Sequence, residues 1–342
     1  MKAMVYHGNR DLRLETVPDP SPTEGEALLQ VDYCGICATD IEEYVYGPKF
    51  IDKTKLPIIT GHEVTATVVE APDQAGHLSS GTRVALNTVL TCGACFWCSK
   101  GETPQCEQFT VVGFDRPGGL AEYLSWPAEE LIPLPDSVSS EAAALIEPSG
   151  VAHHCVQRGN IQPGETVAVV GAGTVGTLTM QIARAKGARV FAVDVRQMSL
   201  DLASSLGVEV AINAAEEDAE AILKDLTDGR GPDLVIDAAG APNTPADCMR
   251  YVRRGGRVVL VAIYTSTPEF DFNSIVAQEK TVIGTIAYGR ADVQASVDLI
   301  AAGKLSTTPL ITDQIGLDEV IDVGFERMMA PTKDVFRILV KP

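Results

Sequence analysis

No run of apolar residues in this sequence approaches the ~20 that a membrane-spanning helix needs, so no membrane association is expected. Basic residues are also scarce, because 27 Lys and Arg stand against 46 Asp and Glu, which gives a formal net charge of −19. A surface of that sign repels a phosphate backbone, so nucleic acid is not an expected partner. We interpret the acidity as a contribution to solubility.

The N-terminal segment MKAMVYHGNRDLRLE lacks the apolar stretch of a secretory signal, and no linker, low-complexity tract or repeat interrupts the chain. We therefore expect a reducing, cytoplasmic location, where cysteines serve metal chemistry more often than disulfides. With 342 residues, 45% of them hydrophobic, the chain is long enough for about two domains with a sizeable core.

Four cysteines fall in the spacing C-x2-C-x2-C-x7-C, and they are Cys92, Cys95, Cys98 and Cys106. Four thiolates so close together can surround one tetrahedral Zn²⁺ and leave no open coordination position, which is the arrangement of a structural site. A disulfide pair and a chance cluster are the alternatives. The close spacing and the missing secretory signal favour the metal.

The pattern of the sequence changes near residue 150. Before it, short β-type runs such as EALLQVDYCG and EVTATVVEA alternate with Gly and Pro turns, which predicts a mostly antiparallel β domain. After it, strands such as TVAVVG and ARVFAVD alternate with helical segments such as TVGTLTMQIARAKG, which predicts a doubly wound parallel α/β sheet. We expect domains at 1–150 with 292–342 and at 151–291. The tail from about Asp292 should add one helix and further strands to the first domain.

A glycine-rich turn, G-A-G-T-V-G, lies between a predicted strand and helix, and its candidate cofactor-binding residues are Gly171, Gly173, Thr174, Val175 and Gly176. In that context the glycines permit a tight turn, and the helix N-terminus can face a pyrophosphate. An ordinary glycine-rich turn is the alternative.

Asp194 ends the next strand, where its carboxylate can accept hydrogen bonds from both hydroxyls of an adenosine ribose. Such a carboxylate repels a 2′-phosphate, which favours NAD. Arg196 leaves NADP open, because a nearby Arg can accommodate that phosphate.

A second set of possible metal ligands is spread along the first domain. Cys37 lies in Y-C-G-I-C-A-T-D, His62 and Glu63 lie in T-G-H-E, and Glu147 lies in L-I-E-P-S-G. Thiolate, imidazole and carboxylate together suit Zn²⁺, and three such ligands leave the open position of a catalytic site. The sequence distances are too long for spacing alone to join them.

These motifs occur in one order over nearly the whole chain. In that order the sequence resembles the zinc-dependent medium-chain dehydrogenases of the alcohol dehydrogenase superfamily. L-I-E-P resembles their polyol and vicinal-diol branch, and EEYVYGPKFI is similar to butanediol dehydrogenases. The resemblance implies a Rossmann domain, a GroES-like catalytic domain, two zinc ions per chain (one catalytic, one structural) and NAD.

The resemblance also implies roles for single residues. Cys37 and His62 would be direct zinc ligands, while Glu63 and Glu147 compete for the remaining protein position. Thr39 would bond the substrate oxygen and accept its proton. Glu42 stands where relatives often carry a proton-relaying His, so either Glu42 or a water chain would complete the relay.

The implied activity is the reversible oxidation of a secondary alcohol, a polyol or a vicinal diol, to a ketone, with hydride transfer to NAD. Tyr288 matches a position near the substrate pocket, and Ala287 stands where sorbitol dehydrogenases tend to carry Arg, which disfavours sorbitol. L-Threonine or another amino alcohol is the alternative substrate, and a non-catalytic dinucleotide-binding protein is the alternative class. A homo-oligomer, dimer or tetramer, is also implied, joined at an edge strand around GTIAY.

Overall fold

The computed structural model describes residues 1–264, 266–330 and 334–342. Within them the chain divides into two compact units. The first unit consists of Met1–Glu147, Tyr288–Ala301 and Thr307–Pro342, and the second consists of Pro148–Ala287 and Ala302–Ser306. These bounds differ by a few residues from the domains at 1–150 with 292–342 and at 151–291. In addition, Ala302–Ser306 belongs to the second unit.

Strands dominate the first unit, and strands and helices alternate in the second. In chain order the strands are β1 (Lys2–Gly8), β2 (Asp11–Thr16), β3 (Glu26–Gly35), β4 (Ile58–Ile59), β5 (Glu63–Glu70), β6 (Arg83–Leu86), β7 (Val89–Leu90), β8 (Thr110–Val111), β9 (Tyr123–Pro127), β10 (Leu131–Pro133), β11 (Thr166–Val170), β12 (Arg189–Asp194), β13 (Val210–Asn213), β14 (Leu234–Asp237), β15 (Arg257–Leu260), β16 (Thr281–Gly284), β17 (Ile311–Gly316) and β18 (Arg337–Lys341). The α-helices are α1 (Ala38–Tyr46), α2 (Phe96–Ser99), α3 (Ser140–Ala143), α4 (Ile146–Arg158), α5 (Thr174–Ala185), α6 (Gln197–Ser205), α7 (Ala219–Asp225), α8 (Thr244–Tyr251), α9 (Asn273–Val276), α10 (Arg290–Ala301) and α11 (Glu326–Met329).

The main sheet of the first unit has the order β10-β6-β5-β3-β18-β17, with β9 also paired to β3. Its pairs are antiparallel except for β17 and β18, which are parallel. Large apolar side chains such as Leu29, Leu86 and Trp126 are fully buried against it. Their burial supplies most of the driving force for this unit, because apolar surface removed from water stabilises the fold.

The second unit contains a six-stranded parallel sheet in the order β13-β12-β11-β14-β15-β16. The central strands β11, β12 and β14 are buried almost throughout, as expected for a parallel sheet covered by helices on both faces. The chain runs outward from β11 to β13 and resumes on the other side at β14. The strand order therefore reverses next to β11, where sheets of this type bind ligands. The predicted fold class is confirmed.

One expectation for the C-terminal part is wrong. The tail from about Asp292 contains more than the one helix expected, since Val320–Phe325 forms a π-helix and α11 follows it. The run VIDVGF combines β-branched residues with an apolar spacing, and a short run of that kind does not separate strand from helix. Strand β16 lies at the edge of its sheet and ends at Gly284, the first residue of GTIAY, and pairing of this edge with a second chain stays a prediction. No helix among the described residues is long and apolar enough to cross a membrane.

Packing in the second unit can be tested with two phenylalanines. Phe191 on β12 is fully buried, whereas Phe272 is 72% exposed. We expect Phe191→Ala to lower the free energy of unfolding by about 3–5 kcal/mol, because it removes buried surface and leaves a cavity. Phe272→Ala is the matched control and should change it by less than about 0.5 kcal/mol. Urea unfolding followed by circular dichroism measures both, and equal losses would contradict the described packing.

Candidate metal centres and dinucleotide site

Strand register brings Cys37, His62 and Glu63 together. Gly35, at the end of β3, is paired with Glu63 at the start of β5. Cys37 follows β3 and His62 directly precedes β5, so the antiparallel pairing places these side chains side by side. Their sulfur, nitrogen and oxygen ligand atoms all lie within 4.8 Å of one another.

Asp40, on the first turn of α1, fixes two members of this group. One of its carboxylate oxygens accepts the backbone N–H of Cys37 at 2.8 Å, and the other lies 3.5 Å from His62 Nδ1. A carboxylate behind an imidazole orients the ring as a metal ligand. Burial lowers the pKa of His62, but Asp40 and Cys37 outweigh it and raise that pKa well above its ordinary value.

Glu63 is fully buried and is held from the other side of β3. Arg337 on β18 places its Nε 3.2 Å from Glu63 Oε2 and donates from Nη1 to the carbonyl of Ile36 at 2.7 Å. A Cβ on Gly35 would stand 2.3 Å from Glu63 Oε2, so only glycine leaves room for this carboxylate. Burial raises the pKa of Glu63, while Arg337 opposes that shift.

This cluster fits a divalent metal ion. Among the described residues, the buried Oε1 of Glu63 has no hydrogen-bond partner. Buried polar atoms without partners are costly, and a cation beside them removes that cost. Thiolate, imidazole and carboxylate are together a donor set suited to Zn²⁺.

Glu147 lies in the first turn of α4 but does not join the 4.8 Å group among the described residues. Burial raises its pKa to about 7, with His62 and Arg337 acting in the opposite direction. Tyr288, only 1% exposed, is hydrogen-bonded to Glu147, and its hydroxyl lies 2.5 Å from Thr88 Oγ1. The structure therefore holds Glu147 beside the cluster rather than within it.

Thr39 and Glu42 occupy different surroundings on α1. The Thr39 hydroxyl lies 3.4 Å from Cys37 Sγ, at the edge of the cluster. Glu42 forms an ion pair with Lys49 at 2.7 Å, and both side chains are partly exposed. The hydroxyl is thus placed where a proton could be taken up, and the relay role of Glu42 stays a prediction.

The four cysteines of the C-x2-C-x2-C-x7-C motif form a separate lobe between β7 and β8, which pair and close its base. The lobe cysteines are Cys92, Cys95, Cys98 and Cys106, and their sulfur atoms all lie within 4.8 Å of one another. All eight cysteines of the chain are free, so the alternative of a disulfide pair is wrong.

Backbone N–H groups in this lobe point at the sulfur atoms. Cys92 donates to Cys106 Sγ at 3.2 Å, and Cys95 donates to Cys92 Sγ at 3.3 Å. The backbone N–H of Cys98 does most to lower the pKa of Cys95, to about 6, whereas burial does most to raise the pKa of Cys98, to about 11. Because thiolates are the metal-binding form, the four sulfurs fit a closed tetrahedral Zn²⁺ site.

In the second unit, the G-A-G-T-V-G turn connects β11 to α5, whose first residues are Thr174 and Val175. Gly171 has φ +95°, and a Cβ there would stand 2.7 Å from the backbone N of Ala239. At Gly176 a Cβ would stand 1.8 Å from the carbonyl oxygen of Gly171. Gly173 caps the N-terminus of α5, so the turn presents backbone N–H groups to an incoming anion.

Asp194 ends β12 beside this turn. Its carboxylate accepts the backbone N–H of Ala172 at 2.6 Å and that of Arg196 at 2.8 Å. The Arg196 Nε also lies 3.6 Å from Asp194 Oδ1. A cavity of about 570 Å³ is lined by Gly171, Asp194 and neighbouring acidic residues. The turn and Asp194 are thus adjacent, as a dinucleotide site requires.

Two protein-family models match the chain. The alcohol dehydrogenase GroES-like domain matches residues 23–136, and the zinc-binding dehydrogenase model matches residues 174–302. The sorbitol dehydrogenase of Bacillus subtilis strain 168 is 31% identical over 346 residues, with 100% of this chain and 97% of the relative covered. The chain belongs to the zinc-dependent medium-chain dehydrogenases.

Other members of the family are similar over almost their full length. The erythritol/L-threitol dehydrogenase of Mycolicibacterium smegmatis is 34% identical, with 93% of this chain and 92% of that relative covered. The crystal structure of 2R,3R-butanediol dehydrogenase from Bacillus subtilis superimposes with a TM-score of 0.92 at 31% identity, covering 100% and 99% of the two chains. L-Threonine 3-dehydrogenases are also among the relatives. The dehydrogenase therefore lies in the polyol and butanediol branch.

Similar solved structures hold NADP or NADH, which supports a nicotinamide cofactor for this dehydrogenase.

The sequence had indicated every member of the two sulfur-containing clusters but had assigned no role to Asp40 or Arg337. Asp40 had a local signal, since an acidic residue three positions after Cys37 is typical of a helix N-terminus. Arg337 had none, because only the pairing of β18 with β3 brings it to Glu63.

The glycine turn gives a test that separates packing from binding. Gly176→Ala forces a Cβ against the Gly171 carbonyl, so we expect a lower melting temperature together with weaker dinucleotide binding. Gly173→Ala meets nothing closer than 3.8 Å, so the melting temperature should stay unchanged. Dinucleotide affinity should still fall, because the added methyl obstructs the approach of the pyrophosphate. Thermal unfolding and cofactor fluorescence titration measure the two effects, and identical behaviour of the variants would contradict this account.

Proposed function

We propose that this dehydrogenase reversibly oxidises a secondary alcohol of a polyol or vicinal diol to a ketone, with NAD as hydride acceptor. The observation that carries the proposal is the buried group of Cys37, His62 and Glu63, with the Thr39 hydroxyl 3.4 Å from the Cys37 sulfur. We assign Cys37, His62 and Glu63 as ligands of a catalytic zinc, with Glu147 beside them. The four lobe cysteines are assigned to a structural zinc.

When bound, the catalytic zinc would supply Lewis acidity that lowers the pKa of an alcohol, and the nicotinamide ring would accept hydride. The residues of the chain would position the metal ligands and relay the proton of the alcohol. Thr39 would accept the alcohol proton and pass it outward, toward Glu42 or solvent. Asp40 keeps the His62 ring oriented, and Arg337 keeps Glu63 in place, so the donor set is fixed before substrate arrives.

The geometry at Asp194 supports NAD over NADP. Its carboxylate is 9% exposed and bonded to backbone N–H groups, which holds a negative charge where the adenosine ribose would lie. Arg196 favours NADP instead, because its guanidinium lies near this carboxylate and can bind a 2′-phosphate.

L-Threonine is the second candidate substrate, and L-threonine 3-dehydrogenases among the relatives favour it; one from Pyrococcus abyssi is 33% identical over 333 residues. Ala287 stands where sorbitol dehydrogenases tend to carry Arg, which favours smaller diols over hexitols.

We propose from the family resemblance that the chain forms a homo-oligomer. Strand β16 lies at the edge of its sheet, and Val282 and Ile286 beside it are 38% and 50% exposed. An exposed edge with apolar side chains suits pairing with a second copy of the chain, in a dimer or a homotetramer. A cytoplasmic location likewise stays a prediction.

The proposed activity predicts a defined pattern of turnover. We expect reduction of NAD⁺, and much less of NADP⁺, with one class among vicinal diols, tetritols, pentitols, hexitols and L-threonine. Chelation of the zinc should abolish the reduction of NAD⁺, because the alcohol is not activated without the metal. Absorbance of the reduced cofactor measures turnover. Turnover of L-threonine alone would select the second candidate, and silence across the panel with zinc and cofactor bound would contradict the proposal.

The assignment of two zinc ions predicts different consequences for two cysteine variants. Cys37→Ser should reduce zinc from two to one per chain and abolish turnover while the melting temperature stays high. Cys95→Ser should also reduce zinc to one per chain but should destabilise the lobe, because a closed zinc site stabilises its fold directly. Metal analysis, thermal unfolding and turnover measure these outcomes. If the two variants behaved alike in all three measurements, the division into catalytic and structural zinc would be wrong.

A further inference from the structure

A large cavity of the second unit has no role in the proposed reaction. Its volume is about 1030 Å³, and several of its lining residues lie in the segments before β14, β15 and β16. Six basic side chains line it: Lys224, Arg230, Arg250, Arg253, Arg254 and Lys280. This concentration is unusual in a chain with a net charge of −19.

Most of these cations already have carboxylate partners. Lys224 pairs with Glu220 at 2.7 Å, and Arg253 pairs with Asp233 at 2.7 Å. Arg250 and Arg230 pair with Asp247 and Asp228, at 2.7 and 2.9 Å. In the part of the chain that the structure describes, Arg254 and Lys280 form no ion pair with a carboxylate. The cavity lining therefore holds more cations than carboxylates, six against Glu220, Asp233 and Asp271.

Lys280 is the more buried of these two cations, Arg254 and Lys280. It is only 7% exposed, and its ammonium donates to the carbonyl of Met249 in the last turn of α8. That contact satisfies one of its three N–H groups. Burial lowers the pKa of Lys280, the charge of Glu220 opposes that shift, and the charges of Lys224 and Arg254 add to it.

The remaining walls limit what could enter. Met249, Val252 and Phe270 supply an apolar side, and Arg253 is fixed by its bond to Asp233 and by donating to the carbonyl of Arg254 at 2.8 Å. The volume is at the upper end of the range for small-molecule sites, roughly 300–1000 Å³. An inorganic ion alone would leave most of that volume and the apolar side unused.

We propose that this cavity binds a small organic phosphate, with its phosphate group on Lys280 and Arg254 and its organic part against Phe270. Phosphate oxygens accept charge-assisted hydrogen bonds from ammonium and guanidinium groups, and a guanidinium can offer two in parallel. Such a ligand would offset the excess of cations over carboxylates on the lining. The site is separate from the glycine turn, although Glu220 and Arg250 line both this cavity and the one beside Asp194.

The test is a calorimetric titration of AMP, glucose 6-phosphate, pyrophosphate and inorganic phosphate into the full-length, zinc-loaded chain. The protein is first saturated with the reduced cofactor that it binds, so that the glycine turn is occupied. We expect one organic phosphate per chain, bound more tightly than inorganic phosphate. Affinity should fall as salt rises, because the contact is ionic.

Arg254→Glu should weaken the binding at least about tenfold, which corresponds to the loss of one charge-assisted contact. Arg254→Gln keeps the size and removes the charge, and it should weaken binding in the same direction. Because Arg254 is exposed, both variants should fold, and circular dichroism checks this. Lys304→Glu is the control, since Lys304 is an exposed cation of the same unit outside the cavity.

Three results would overturn the proposal. One is an equal loss in Lys304→Glu, which would mean a general effect of net charge. Another is the disappearance of all binding when the cofactor is present, which would place the anion at the glycine turn. The third is organic phosphates binding no more tightly than inorganic phosphate, because the apolar wall would then contribute nothing.

Discussion

The pairing of β3 with β5 and β18 is the constraint on which the candidate catalytic site depends. It sets Gly35 against Glu63 and brings Arg337 to the same carboxylate. A one-residue slip would turn each of these side chains to the opposite face of the sheet. The missing side chain at Gly35 is part of the same constraint, because any Cβ there would collide with the Glu63 oxygen. The site is thus specified by the sheet, and the short loops that carry Cys37 and His62 only extend from it.

Buried charge explains why this arrangement suits a metal ion. Asp40, Glu63 and the partly buried Glu147 share the interior with a thiol, and Arg337 is the guanidinium among them. Moving ionised groups out of water costs several kcal/mol each, so this excess of acids is unfavourable by itself. A divalent cation held by Cys37, His62 and Glu63 would balance it. Burial raises the pKa values of Glu63 and Glu147, and a bound cation would favour their ionised forms.

What the sequence could and could not predict follows from whether each feature is local. The four lobe cysteines lie close along the chain, and the glycine turn sits between one strand and the next helix, so spacing alone indicated both. Asp40 was also within reach, as an acidic residue in the first turn of a helix. Arg337 was not, because its partner Glu63 is distant in sequence and only the strand register joins them. The π-helix at Val320–Phe325 was missed because a short run of β-branched residues fits strand and helix equally well.

Each unit contains a local imbalance of charge, and the two imbalances have opposite signs. In the first, buried acids exceed bases, and the donor atoms have the chemistry of a zinc site. In the second, more cations than carboxylates line a cavity while the chain as a whole is strongly acidic. Solubility accounts for an acidic surface, but it does not account for the buried ammonium of Lys280, which forms no ion pair with a carboxylate among the described residues. Because an isolated charge is expensive to bury, Lys280 needs either a helix carbonyl or an anion. The Met249 carbonyl and the charge of Glu220 stabilise this ammonium in part, whereas the neighbouring cations Lys224 and Arg254 destabilise it.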